Sequence, residues 1–284
     1  MNKANARELN NTHRKDMFLV LDTETLGWSP ERPDLNQKVF DLGYKIIDKD
    51  NKEYSKGSFL VSEYYWQIIE SHAFYQEKLN YYKKYVKTGY SKVASYQEII
   101  ELLEHEIEVY DVDYLVAYNL GFDIRVLRKT YHALTGSDKL IFNNLVHFDL
   151  YHVACQTILN TPKYKKWASD NYYKHLNLET FNFKTGAESC YSYLINEPDY
   201  IEEHTALSDV EIECEILVRA IKTTKKYSHE INSQSWRIVN SNTEKNIYYF
   251  KRANPDKSEI VEQYRQAKKE KEKNRKMKVG KAAQ

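Results

Sequence analysis

Apolar residues recur along the chain in short runs that are typical of strands. The run from Phe18 to Leu21 has the length of a buried strand. Val39 to Ile47 and Gly57 to Val61 predict two further strands. Because only the turn-prone segment around Asp48 to Asn51 separates the second strand from the third, the three runs predict an antiparallel meander.

Further along, apolar residues repeat every three or four positions, which is typical of amphipathic helices. The clearest predicted helices span Tyr96 to Tyr110 and Thr205 to Ile221. Between them, Tyr114 to Tyr118 predicts a fourth strand that turns at Asn119 into another helix, and Leu145 to Phe148 predicts a fifth strand. A meander followed by strand-helix alternation indicates an α/β fold: a mixed five-stranded sheet flanked by helices.

The chain ends do not share this pattern. We expect residues 1 to 15 to be a flexible leader, residues 16 to 225 to form one main domain, and residues 226 to 284 to be a C-terminal extension. In that extension, Trp236 to Val239 and Asn246 to Phe250 are candidates for the two strands of a hairpin.

The end of the extension is strongly basic. Residues 265 to 281 contain nine Lys or Arg against two Glu, which is a local balance of +7. Such a segment is either a solvated basic helix or a disordered tail, and it is also a candidate for contacts with phosphates.

Composition excludes several classes of protein. The net charge of the 284 residues is +1, so the chain is not a uniformly basic wrapper of nucleic acid. The three cysteines lie far apart and show no zinc-ligand spacing, which argues against a disulfide framework or a zinc site. Because no apolar run approaches about 20 residues and the N-terminal segment is polar, we expect no membrane association and a cytoplasmic location.

Two carboxylates stand at the end of the first predicted strand, in the stretch MFLVLDTETLGW, residues 17 to 28. Successive side chains of a strand point to opposite faces, so Asp22 and Glu24 share one face. Two like charges at the end of a buried strand repel each other unless a cation holds them. A surface pair without function is the alternative interpretation of this motif alone.

Two later motifs also contain acids. In VAYNLGFDIRVL, residues 116 to 127, Asp123 falls in the first turn of a helix that follows a strand, where it could simply complement the helix dipole. In HTALSDVEIECEIL, residues 204 to 217, His204 and Asp209 are five positions apart. Because five residues do not complete whole helical turns, we expect His204 in the loop before the helix and Asp209 inside the helix.

Together, the three motifs resemble those of the DEDDh branch of the DnaQ-like 3'-5' exonucleases, which belong to the ribonuclease H-like superfamily. The resemblance rests on Asp-x-Glu on a first strand, Asn-x-x-Phe-Asp at a strand-helix turn and His-x4-Asp at a late helix. It covers about residues 16 to 222. The sister branch has a tyrosine four residues before the last acid, where this chain has Thr205.

This resemblance implies a set of residue roles. Asp22, Glu24, Asp123 and Asp209 would bind two divalent cations, Mg²⁺ or Mn²⁺, and His204 would be the general base. Four further residues correspond to positions that in the family contact the terminal nucleotide or support the site: Thr25, Leu26, Asn119 and Phe122.

The implied activity is hydrolysis of single-stranded nucleic acid from its 3' end to release nucleoside 5'-monophosphates. DNA is the favoured substrate; an RNA-directed exonuclease or oligoribonuclease is an alternative, since these motifs do not read the 2'-hydroxyl. A non-catalytic nucleic-acid-binding module with the same fold is a second alternative. Because the chain has no polymerase domain, a proofreading role would require a polymerase or another replication protein as partner.

Two segments combine tyrosine and tryptophan with lysine, residues 64 to 96 and residues 163 to 175. Aromatic side chains beside basic ones can stack on the bases of a single strand. The same composition is found in ordinary aromatic cores, which is the favoured interpretation for both segments.

Overall fold

The computed structural model describes residues 15 to 27, 33 to 66 and 73 to 282. Of the predicted leader, only Lys15 lies among them. The described residues form two compact units, one within residues 15 to 153 and 201 to 233, the other within residues 154 to 200 and 234 to 282. These units have other boundaries than the domain predicted at residues 16 to 225.

A six-stranded mixed sheet forms the centre of the first unit. Its strands in chain order are β1 (Met17–Thr25), β2 (Val39–Asp48), β3 (Glu53–Val61), β4 (Lys92–Ala94), β5 (Tyr114–Ala117) and β6 (Val146–Asp149). Their order across the sheet is β4-β3-β2-β1-β5-β6.

The first three strands form the predicted antiparallel meander, with Leu19 opposite Ile46 and Leu42 opposite Phe59. β1 also pairs with β5, and here the two strands are parallel, with Val20 opposite Val116. The carboxyl ends of β1 and β5 therefore lie at the same edge of the sheet.

The predicted mixed α/β sheet with flanking helices is confirmed, but five strands is one too few. The sixth strand, β4, has three residues and pairs in parallel with the end of β3. An edge strand of this length is too short to show an alternating pattern of apolar and polar residues. The sequence therefore does not predict it.

The helices predicted at Tyr96 to Tyr110, after Asn119 and at Thr205 to Ile221 are all present in the first unit. The helices of this unit are α1 (Ser62–Tyr65), α2 (Ala73–Thr88), α3 (Tyr96–Val109), α4 (Leu120–Thr135), α5 (Leu150–Ala154) and α9 (Ala206–Ile221). α9 packs against β1 and β2. No helix of the described residues has the length and hydropathy that crossing a membrane requires.

The packing of α9 on the sheet depends on a glycine. A Cβ placed on Gly43 of β2 would lie 2.3 Å from the backbone nitrogen of Leu207 and 2.4 Å from the carbonyl carbon of Ala206. Both atoms belong to the first turn of α9, and backbone atoms cannot move aside as a flexible side chain can. Because Gly43 pairs directly with Asp22, this close approach also determines the distance between β1 and α9.

The second unit is mainly helical. It contains a π-helical turn (Cys155–Leu159), the helices α6 (Pro162–Asp170), α7 (Tyr172–His175), α8 (Ala187–Ile195), α10 (Trp236–Val239), α11 (Thr243–Ala253) and α12 (Ser258–Ala282), and the paired strands β7 (Leu176–Asn177) and β8 (Asn182–Phe183).

The hairpin considered in the C-terminal extension is wrong, because both of its segments are helical, in α10 and α11. The buried side chain of Asn240 holds the first of these two helices in place. Asn240 Nδ2 donates to the backbone carbonyl of Phe183, and Asn240 Oδ1 accepts from the backbone N–H of Phe183. These two bonds fix the end of α10 to β8. The basic tail is also helical, in α12.

The segment from residue 163 to 175 supplies an aromatic core to this unit. Tyr164 is fully buried and packs edge-on against Phe183 and Tyr193. The favoured interpretation of this tyrosine as a core residue agrees with its burial.

The contact at Gly43 generates a stability prediction. We expect Gly43→Ala to lower the free energy of unfolding by about 1–3 kcal/mol, the usual cost of overpacking a tight contact. Gly186→Ala is the matched control, because nothing lies within 4 Å of a Cβ at that position. Urea unfolding followed by circular dichroism measures both, and equal effects of the two changes would contradict the proposed constraint.

Candidate active site

The end of β1 carries the first two acids. Asp22 and Glu24 are both half-buried, and Thr23 between them is only 4% exposed. The pairing of β1 with β2 shifts register between Glu24 and Thr25, opposite Val39. The strand therefore ends its regular ladder immediately after the second carboxylate.

The turn after β5 brings a third acid to the same edge of the sheet. Asn119 adopts a left-handed backbone conformation with φ of 73° and ends the strand, and α4 starts at the next residue. Asp123, in the first turn of α4, is 2% exposed. Thr23 Oγ1 donates to Asp123 Oδ1 over 2.8 Å, which ties this carboxylate to β1.

The start of α9 provides the fourth acid. Thr205 caps the helix by exchanging hydrogen bonds with Ser208, and Asp209 follows in the first turn with 8% exposure. The backbone N–H of Ala206 donates to Asp41 Oδ2 over 3.0 Å, so a carboxylate of β2 holds the helix N-terminus. Such a bond is favourable because the first N–H groups of a helix have no partner within the helix.

His204 lies in the loop before α9, as predicted, in a left-handed conformation with φ of 52°. Its side chain is 41% exposed, and its Nδ1 is 3.6 Å from Glu202 Oε2. Lys78 of α2 donates to the backbone carbonyls of Glu203 and His204. This lysine therefore stabilises a loop conformation that residues other than glycine seldom adopt.

Side chains from the three motifs come together at this edge. Ligand atoms of Glu24, His204 and Asp209 all lie within 4.8 Å of one another. Asp22 interacts electrostatically with Glu24, Asp123 and Asp209. The four predicted acids and the histidine, which are spread over 188 positions of the sequence, thus surround one small region of the first unit.

Burial and mutual repulsion raise the pKa values of these acids. The pKa of Asp22 is raised well above its ordinary value of 3.8, first by burial and then by Asp123 and other carboxylates. Burial, with the repulsion of Glu202 and Glu24, raises the pKa of Asp209 to about 9. The pKa of Asp123 is raised to about 7 by burial, although its bonds from Thr23 act in the opposite direction.

A fifth carboxylate belongs to this cluster and was not among the predicted site residues. Glu213, one helical turn after Asp209 on α9, is 2% exposed. Burial and the repulsion of Asp123 raise its pKa well above the ordinary value. The sequence contains a signal for it, since Glu213 stands four positions after Asp209 and between the apolar stripe residues Val210 and Leu217.

The predicted substrate-contacting residues occupy different environments. Leu26 is 1% exposed and belongs to the hydrophobic core, whereas Thr25 is half-buried at the end of β1. Asn119 forms the turn after β5, and Phe122 is partly buried and lies under the guanidinium of Arg125 at 5.1 Å. Their contacts with a nucleotide stay predictions.

The donor set fits divalent cations that prefer oxygen ligands. The charges that act most strongly on Asp22 are all carboxylates. Lys78 is near Glu24 and Asp209, yet its ammonium group donates to backbone carbonyls. Carboxylates gathered at this density are what Mg²⁺ or Mn²⁺ sites require, because the cation offsets their repulsion.

Comparisons with known proteins concern the fold. No family model and no curated protein matches the chain. A solved structure with a similar backbone is that of E. coli Exonuclease I in complex with a dA16 oligonucleotide, with a TM-score of 0.40 and 16% sequence identity. The match covers 72% of this chain and 41% of that chain, so this chain spans less than half the length of the enzyme it matches. The function therefore has to be argued from the side chains of the site.

The raised pKa values generate a prediction for the protein without metal. Because Asp123 and Asp209 have folded pKa values of about 7 and about 9, the folded state binds more protons than the unfolded chain above pH 3.8. Their stabilising contribution is complete below that pH and is lost as the pH rises through about 7 to 9. In EDTA, the melting temperature should therefore fall from about pH 5 to about pH 8.

Asp209→Asn is the control for this prediction, since the pH dependence should become shallower when one raised carboxylate is removed. Added Mg²⁺ should restore the melting temperature of the wild-type protein at about pH 8. Calorimetry that gives the same slope for wild type and variant would contradict the assignment of the effect to this cluster.

Proposed function

We propose that the protein is a metal-dependent 3'-5' exonuclease of single-stranded nucleic acid that releases nucleoside 5'-monophosphates. The observation that carries this proposal is the convergence of Asp22, Glu24, Asp123, Asp209 and His204 at one edge of the sheet. Neither the sheet nor the core needs these carboxylates there, because burial and like charges raise the pKa values of Asp22, Asp123 and Asp209 and so work against the folded state.

The four acids and His204 would have different roles in hydrolysis. The four acids would hold two divalent cations, and bound cations of this kind would supply activation of a water molecule and stabilisation of the charge on the phosphate. His204, which is part exposed at the mouth of the cluster, would accept the proton of the attacking water. Glu202, 3.6 Å from His204 Nδ1, is placed to orient the ring.

A pocket beside His204 supports binding of an extended strand. Its volume is about 430 Å³, and its lining includes Lys78, Tyr81, Tyr85 and Ile201 together with Glu202 and Glu203. Tyr81 is 59% exposed, which leaves its ring accessible for stacking on a base. Lys78, Tyr81 and Tyr85 of the segment from 64 to 96 therefore adjoin His204.

Loss of one metal ligand should separate activity from stability. Asp22→Asn keeps the shape of the side chain, and we expect it to lower 3'-end hydrolysis by about 10³-fold, because several kcal/mol of charge stabilisation depend on the bound cations. The same change should raise the melting temperature of the metal-free protein, because it removes one buried charge from the cluster. A labelled single-stranded oligonucleotide with Mg²⁺ measures the activity.

The matched control for this experiment is Glu215→Gln. Glu215 is an exposed residue of α9 that accepts a hydrogen bond from Asn51 Nδ2, away from the cluster. Its variant should hydrolyse the oligonucleotide like the wild-type protein. If Asp22→Asn also retains full turnover, the proposed function is wrong.

His204→Ala should distinguish a general base from a metal ligand. A base contributes about 10²–10⁴-fold to the rate, so turnover should fall by that factor while the number of bound Mn²⁺ ions stays unchanged. Single-turnover kinetics and calorimetric titration with Mn²⁺ measure the two quantities. Loss of a bound ion in this variant would instead assign His204 to the ligands, which its position near Glu24 and Asp209 also permits.

The direction of attack and the type of strand require a substrate panel. Single-stranded DNA, RNA and duplex DNA, each with a free or a blocked 3' end, should be cleaved only when the 3' end is free. Cleavage that ignores the 3' block would contradict the exonuclease assignment, and comparison of DNA with RNA would identify the preferred sugar.

A further inference from the structure

Glu213 is buried in a way that the fold does not explain. The residue is 2% exposed on α9, and its Oε2 has no hydrogen-bond partner among the described residues. The carboxylate accepts a bond from the backbone N–H of Tyr118, at the end of β5. One oxygen of a fully buried carboxylate is thus left without a donor, which costs free energy unless something else binds it.

Asp149 shows what a structural carboxylate looks like in the same unit. It is also fully buried and also lies close enough to Asp123 to act on it electrostatically. However, backbone N–H groups of His152 and Asn232 donate to Asp149 Oδ1 and Oδ2. Asp149 is therefore satisfied by the chain itself, and Glu213 is not.

The surroundings of Glu213 are negative. Asp123, Asp209 and Glu202 all act on it as like charges, and Glu213 is itself among the charges that act on Asp22. The helix repeat places Glu213 one turn from Asp209 on the same face of α9. The Glu213 carboxylate therefore lies near enough to Asp22, Asp123 and Asp209 for like charges to act between them.

We propose that Glu213 is a fifth carboxylate of the cation site and that its Oε2, which accepts no hydrogen bond from the described residues, is a ligand of one of the cations. The inference rests on the proposed function for the presence of divalent ions at this cluster. It adds a residue that lies outside the Asp-x-Glu, Asn-x-x-Phe-Asp and His-x4-Asp patterns. The ion would supply the partner that Oε2 lacks, and Tyr118 would hold the other oxygen in place.

Calorimetric titration of the full-length protein with Mn²⁺ tests the inference without relying on catalysis. Glu213→Gln keeps an oxygen that can accept from Tyr118 and removes the charge, so we expect the affinity for at least one Mn²⁺ to fall by about tenfold or more. Glu215→Gln, on the exposed side of the same helix, should bind Mn²⁺ like the wild-type protein.

Thermal unfolding provides a second measurement on the same variants. Metal-free Glu213→Gln should melt at a higher temperature than the wild-type protein, and saturating Mn²⁺ should raise its melting temperature by less. Glu213→Asp keeps the charge but is one methylene shorter, so it should retain the fold and still bind Mn²⁺ more weakly. This variant tests the inference even if Glu213→Gln does not fold.

The outcomes separate the inference from the proposed function. Wild-type Mn²⁺ affinity in both Glu213 variants would overturn the inference while leaving the exonuclease proposal intact. Binding of Mn²⁺ that depends on Glu213, in a protein that cleaves no 3' end, would support the inference and overturn the proposed function. A wild-type protein that binds no Mn²⁺ would overturn both.

Discussion

Repulsion among buried carboxylates is the physical constraint on which this site depends. Asp22, Asp123, Asp209 and Glu213 lie close enough to raise one another's pKa values, and each is largely removed from water. A chain gains nothing in stability from such an arrangement, because the charged forms are disfavoured both by burial and by their neighbours. A positively charged partner would offset this repulsion, which agrees with the proposed cation site.

The scaffold tolerates this repulsion because hydrogen bonds hold Asp123 and the start of the helix that carries Asp209. Asp123 accepts from Thr23, and the helix that carries Asp209 starts on a cap formed by Thr205 and on the carboxylate of Asp41. The close approach of Gly43 to the first turn of α9 fixes the distance between strand and helix. These contacts belong to ordinary secondary structure, so the geometry of the cluster is determined by the fold and not by a flexible loop.

Sequence patterns located the elements well where many residues repeat a spacing. The meander, the strand before Asn119 and the helix after Thr205 each combine apolar periodicity with a turn or cap signal, and the structure places them within a few residues of the predicted bounds. Apolar periodicity did not predict the element correctly where the element has only a few residues. β4 has three residues, and α10 and α11 resembled strands because short apolar runs do not distinguish the two periods.

The sequence by itself determined which chemistry is available: four acids and a histidine in three motifs, with cysteines in no ligand pattern. It could not determine which additional residues share the site. The spacing of Glu213 from Asp209 places it among the apolar stripe residues of α9, but only the packing of that helix against β1 and β2 shows that it is buried beside the other acids, whereas Glu215 lies in solvent. The same packing makes Leu26 a core residue and leaves Thr25 at the edge. Burial and the proximity of distant segments are properties of the folded chain, because they depend on which surfaces meet and not on local spacing.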